Sequence, residues 1–287
     1  MKRHTSLLIL VSFAFVADAR VIIFDLGDTL MRVSHAPMMR AVGLWRFTSF
    51  LLADCWHSPF AIKQIVAHKL DQVLNLYQSS ADAETKEPVS YTAQGSPIAL
   101  LMVDWHAGRL TSEECRILGN ALIILADIRG MFASEREHDL IAALIEAIFT
   151  PSILATTLHP IDEAVELLRK ISTLRDTDTG KPHRCMILSN IDNETITMVH
   201  SSEQGRKIFQ HFAPADIATS ADLGTVKPRA DIYSRFIEKY SLNPAECIFI
   251  DDRPENCIAA AQAGIQGIVI TPSGYGDVLT EIERYSQ

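Results

Sequence analysis

The chain has 287 residues, 48% of them apolar and 21% charged, with a mean hydropathy of +0.12. This excludes a disordered or low-complexity protein and leaves enough chain to bury a substantial core. The 26 Lys and Arg face 35 Asp and Glu, a net charge of −9 with no basic run, which argues against binding to nucleic acid or anionic lipid.

At the start, Lys2 and Arg3 precede the apolar stretch Leu7 to Val16 and then Ala17-Asp18-Ala19. A charged start, a short apolar middle and a small-residue end describe a secretory signal peptide over residues 1–19. That predicts export, periplasmic or secreted; the alternative is a cytoplasmic protein whose apolar terminus packs as a helix or strand. The stretch is too short to span a bilayer, so no stable membrane span is expected in the mature chain.

Val21-Ile22-Ile23-Phe24-Asp25 is an apolar β-branched run ending in an acid, the pattern of a strand buried on both faces of a parallel sheet. Residues 34–155 then read as helices: Pro37 to Trp56, Pro59 to Tyr77, and Ser112 to Leu125 with a capping box from Thr111 to Glu114. The polar stretch from Gln78 to Pro97 reads as an exposed loop. Trp45, Phe47, Phe50 and Trp56 fall at helical spacings and suit the core of this segment. His106 and Arg109 sit on a turn that can face a cleft.

Strand texture returns near residue 158. Pro160 stands at a helix-start position, followed by a strand at Cys185 to Ser189, a helix at Ala230 to Tyr240 and a strand at Cys247 to Ile250. A helix from Pro254 to Ala263, closed by Gly264, and a strand at Gly267 to Ile270 complete the pattern. Alternating strands and helices imply an α/β fold, a doubly wound parallel sheet, with residues 34–155 inserted as an all-helical cap between 20–33 and 156–287.

In such a sheet ligands bind outside the carboxyl ends of the strands. Asp25, Ser189-Asn190 and Asp251-Asp252 fall there, with Lys227-Pro228 preceding the helix that leads into the last pair. Carboxylates so close repel one another, and a bound Mg²⁺ relieves this. A hydroxyl, an ammonium and the backbone N–H groups of the Gly27–Thr29 turn suit phosphate oxygens, leaving one carboxylate to attack phosphorus. The five cysteines are odd in number and irregularly spaced, so they read as small buried residues and not as a disulfide framework. The ten histidines show no metal-ligand spacing.

Asp25-Leu26-Gly27-Asp28-Thr29-Leu30, Leu188-Ser189-Asn190, Leu223 to Pro228 and Ile250 to Asn256 together resemble the four motifs of the haloacid dehalogenase (HAD) superfamily. The helical insert resembles that of subfamily I, and the nearest flavour is the phosphatase branch of glucose-1-phosphate phosphatases and the N-terminal domain of soluble epoxide hydrolases. The resemblance covers the core and matches the cap only in type. It implies Asp25 as nucleophile and Mg²⁺ ligand, with Asp251, Asp252 and the Gly27 carbonyl completing the metal shell. It also implies Ser189, Asn190, Lys227 and Thr29 as binders of the phosphoryl group, Lys227 steadying Asp25, and Asn256 in support. The family's usual second Asp, a general acid two residues after the nucleophile, is replaced here by Gly27, where a glycine suits positive φ. Three functions follow: a Mg²⁺-dependent phosphatase for a small organic phosphate, a carbon–halogen hydrolase, or a catalytically weak phosphate-binding module.

Overall fold

The computed structural model describes residues 19–55, 62–78 and 98–284. Residues 1–18 of the signal segment expected over 1–19, residues 79–97 of the loop expected from Gln78 to Pro97, and Trp56 and Pro59 lie outside the described residues. Strand β1 (Val21–Phe24) leads into a short strand β2 (Met31–Val33). Among the described residues seven helices follow: α1 (His35–Val42), α2 (Leu44–Asp54), α3 (Ile62–Leu74), α4 (Leu100–His106), α5 (Ser112–Ile128), α6 (Glu135–Ile148) and α7 (Pro151–Thr157). The chain returns through β3 (Leu158–Pro160), α8 (Asp162–Ile171) and β4 (Arg184–Ser189). Next come α9 (Asn193–Ser201), α10 (Glu203–Phe209), β5 (Ile217–Thr219), α11 (Ser220–Leu223) and α12 (Ala230–Tyr240). The last elements are β6 (Cys247–Asp251), α13 (Pro254–Gln262), β7 (Gln266–Val269) and α14 (Tyr275–Glu283).

Five strands form one parallel sheet in the order β5-β4-β1-β6-β7. The unbroken apolar character of β1 follows from its central place, since alternate residues enter two different cores. Ile22 and Phe24 pack with α8, α10 and α14, while Val21 and Ile23 pack with α12 and α13. The chain builds outward from β1 on one side through β4 and β5, then crosses to the other side for β6. The switch point, where a crevice opens in such sheets, is therefore at β1.

The helices α1–α7 have their own apolar core, built around Phe50, Trp105, Leu140, Ile141 and Phe149. They leave and rejoin the sheet through an antiparallel ribbon in which Met31 pairs with Pro160 and Val33 with Leu158. Two expectations are corrected here. The helix expected from Pro37 to Trp56 is broken at Gly43, whose φ of +95° no helix accommodates. Pro160 ends a strand instead of starting a helix, since a two-stranded ribbon tolerates a residue without an N–H donor. The capping box is formed as expected, with Thr111 Oγ1 accepting from Glu114 N and the Glu114 carboxylate from Thr111 N. No single helix among the described residues is long and apolar enough to cross a membrane.

Candidate active site

β1, β4 and β6 are neighbours in level register, Phe24 lying beside both Ile187 and Ile250. Their carboxyl ends therefore bring together Asp25, Ser189 and Asp251, with Asp252 one residue further on. Lys227 enters from the loop between α11 and α12, and Asn190 seats it. The Lys227 N–H donates to Asn190 Oδ1 at 2.9 Å, and Asn190 Nδ2 donates back to the Lys227 carbonyl at 3.0 Å. The amide thus seats the lysine backbone through one Nδ2 hydrogen and Oδ1.

The Lys227 ammonium is 2% exposed and donates to Asp25 Oδ1 at 2.6 Å and Asp251 Oδ2 at 2.7 Å. Burial alone would lower its pKa, but the two carboxylates more than offset this and hold it above the ordinary lysine value. Asp251 also accepts from the Arg253 N–H and from Asn256 Nδ2, which bridges both of its oxygens at 2.9 Å. Oxygens of Asp25, Asp251 and Asp252 lie within 4.8 Å of one another. Asp25 and Asp251 thus share one ammonium, with Asp252 beside them. Burial pushes Asp25 up to about 6, with Asp251 adding and Lys227 opposing. Burial and then repulsion from Asp25, Asp251 and Asp28 push Asp252 up to about 7.

The turn after β1 departs from expectation in one way. The residue with positive φ is Asp28, at +51°, and not Gly27. Asp28 is exposed, and its charge is felt at Asp252 and Tyr275. A Cβ built on Gly27 would meet nothing nearer than Asp25 Oδ2, at 4.0 Å. Thr29, expected to bind phosphate, is fully buried; its Oγ1 accepts from the Asp252 N–H and its carbonyl accepts from the Tyr275 hydroxyl. Thr29 thereby ties the β1 turn to the β6 loop. The contribution of Tyr275, 246 residues from Thr29, carried no sequence signal.

The α4–α5 turn rests on the core. His106 O accepts from Ser220 Oγ at 2.6 Å, and a Cβ on Gly108 would stand 2.9 Å from the Ala221 carbonyl. Val103 and Ala107 pack on Val226, the residue before Lys227. Arg109 is held at 2.5 Å by buried Asp104, whose other oxygen accepts from Tyr77. Burial pushes His106 down to about 4, so its ring is neutral at pH 7. All five cysteines are free thiols, and burial pushes Cys115, Cys185 and Cys257 up to about 12, which leaves them unreactive.

The model of the haloacid dehalogenase-like hydrolases matches residues 19–264, and the chain belongs to that family. Among solved structures it is similar to a HAD family enzyme from Bacteroides thetaiotaomicron in complex with magnesium and inorganic phosphate. Identity there is 15% over 89% of this chain and 96% of that one, with a TM-score of 0.50. A dehalogenase in an intermediate complex matches with 18% identity over 93% of this chain and 96% of its own, also at 0.50. A HAD-like family hydrolase from Porphyromonas gingivalis shares 19% identity over 93% and 99% of the two chains, at 0.49. The protein is thus a HAD-like hydrolase with the parallel α/β core of that family.

Proposed function

We propose that this hydrolase is a Mg²⁺-dependent phosphatase acting on a small organic phosphate monoester, with 20–33 and 156–287 as its core and 34–155 as a subfamily I cap. The observation that carries the reading is the cluster of Asp25, Asp251 and Asp252 oxygens within 4.8 Å of one another, two of the three carboxylates sharing a buried ammonium. An all-oxygen donor set with excess negative charge fits a hard divalent cation. Carbon–halogen cleavage has no phosphate charge to neutralise and gives no reason to hold such an excess. The nearest flavour remains the glucose-1-phosphate phosphatase branch, and the N-terminal segment supports export.

Asp25, Asp251 and Asp252 would hold Mg²⁺, with the Gly27 carbonyl beside them; the ion supplies charge neutralisation for the phosphate oxygens. Asp25 attacks phosphorus and becomes an aspartyl-phosphate, which water then hydrolyses. Lys227 keeps the Asp25 carboxylate ionised and aimed, and with Ser189 it offers donors to the equatorial oxygens. Asn190 and Asn256 fix Lys227 and Asp251 in place. The test is parallel release of phosphate from a panel of phosphate monoesters and of halide from 2-haloacids, with Mg²⁺ and with EDTA. Mg²⁺-dependent phosphate release supports the reading; metal-independent halide release assigns the dehalogenase activity instead.

A further inference from the structure

β6 ends at Asp251, so Asp252 lies one residue past the last rung of the sheet. Mg²⁺ demands near-ideal octahedral geometry, so a ligand on a loop serves it only if the loop backbone is fixed from elsewhere. Two contacts run from this loop toward the segment that follows β7. The Ile270 N–H donates to the Asp251 carbonyl at 3.0 Å. The Asp252 N–H donates to Thr29 Oγ1 at 3.1 Å, and the Thr29 carbonyl accepts from the Tyr275 hydroxyl at 2.7 Å. Ile270 and Tyr275, five residues apart in sequence, thus brace the loop that carries both acids, one directly and one through Thr29.

The sequence gives Tyr275 a rigid mount. After Ile270 the chain makes a tight turn, closed by the Gly274 N–H donating to the Thr271 carbonyl at 2.8 Å, and Tyr275 is the first residue of α14. The Tyr275 ring and, one and two turns along the helix, Val278 and Ile282 are buried in the core that also takes Phe24, Leu26 and Leu30 from the β1 strand and turn. The helix that presents the hydroxyl and the turn that receives it therefore share one packed core, and the phenol bridges their polar ends. α14 lies beyond residues 19–264, the part that the family's model matches.

We infer that Tyr275 is a positioning residue for the divalent cation: its hydroxyl fixes the Thr29 carbonyl, Thr29 Oγ1 fixes the Asp252 N–H, and the Asp252 carboxylate is thereby held beside Asp25 and Asp251. This rests on the Mg²⁺ site of the phosphatase reading above. Tyr275 acts through Thr29 and is not itself a ligand. Phenylalanine in its place keeps the packed ring and removes only the donor. The Thr29 carbonyl, wholly buried, then loses that hydrogen bond and shifts toward another donor, and the link to Asp252 shifts with it. Loss of such an outer partner loosens the ion more than it loosens the fold.

The test is Mg²⁺ binding to the full chain without substrate, read as Kd by isothermal titration calorimetry, with circular dichroism to verify that each variant folds. Tyr275→Phe should raise Kd by at least the lower figure of the ~10–100-fold cost of losing an outer partner of a metal site. Thr29→Val, which removes the second link of the same path, should do likewise, and the double variant should bind little worse than either single one, as groups in one network do. Val278→Ala, a truncation in the same helix and core, should lower Tm and leave Kd unchanged, which separates positioning from loss of stability. An unchanged Kd in either single variant, losses that multiply in the double variant, or an equal loss in Val278→Ala overturns the inference while leaving the metal site intact. A wild-type chain that binds no Mg²⁺ overturns the metal reading itself, and this inference with it.

Discussion

Replacing Lys227 by Met removes the buried ammonium shared by Asp25 and Asp251 while keeping the length of the side chain. The ammonium donates at 2.6 and 2.7 Å to Asp25 and Asp251, and all three groups are shielded from water. Breaking a buried pair by deleting one partner costs ~3–5 kcal/mol, because the other charge is left uncompensated. With a urea slope of ~3 kcal/mol/M, the unfolding midpoint in EDTA should fall by ~1–1.7 M. The penalty belongs to the stranded carboxylates, so adding Asp251→Asn should recover part of it, a non-additivity expected of groups in one network. Mg²⁺ should also return part of the loss. In the phosphatase assay, kcat/KM should drop by ~10²–10³-fold, the scale for removing one donor to a developing negative charge. An unchanged urea midpoint, or strict additivity with Asp251→Asn, would refute the reasoning.

Three further outcomes follow from the same geometry. Without a divalent cation, Asp25 at about 6 and Asp252 at about 7 lie above the ordinary carboxylate value of 3.8. The folded state therefore holds protons more tightly, so this contribution is most favourable near the ordinary value and is lost as pH rises through 6 to 7. Calorimetry should accordingly show a Mg²⁺-induced rise in Tm that is larger at about pH 8 than at about pH 5, and an equal rise at both would contradict the shared-carboxylate site. Joint replacement of Asp251 and Asp252 by Asn should raise the Mg²⁺ concentration for half-maximal activity at least tenfold (about 1.4 kcal/mol of binding); an unchanged titration removes them from the metal shell. Gly205→Ala would place a Cβ 1.8 Å from the Val199 carbonyl, so the cost should exceed the ~1–3 kcal/mol usual for overpacking, read as soluble yield and urea midpoint.

The strand ends were legible because their signal is local. An unbroken run such as Val21 to Phe24, buried on both faces, announces a central parallel strand, and whatever follows it lies on the ligand side of the sheet. That is why Asp25, Ser189, Asp251 and Asp252 could be gathered from sequence alone, while Lys227, which follows no strand, was placed by its motif. The ribbon of Met31–Val33 with Leu158–Pro160 and the edge strand Ile217–Thr219 could not, since three residues carry no measurable period. The anchoring contacts of Thr29 and Asn190 were not legible for a different reason: their partners lie 223 and 37 residues away, and a sequence shows which groups can donate or accept but not to whom. Gly27 was half legible: the missing acid was plain, but the positive φ belongs to Asp28.

The central claim is that Asp25 takes the phosphoryl group, and trapping that intermediate tests it most directly. Enzyme with Mg²⁺ and 4-nitrophenyl phosphate is quenched in acid within a turnover, digested and mapped by mass spectrometry. The account predicts one added phosphoryl group on the peptide containing Asp25, absent in EDTA and absent from Asp25→Asn, with phosphate release abolished in that variant. Phosphate release without any phosphorylated Asp25 peptide, or an Asp25→Asn variant retaining more than a small fraction of wild-type turnover, would contradict it.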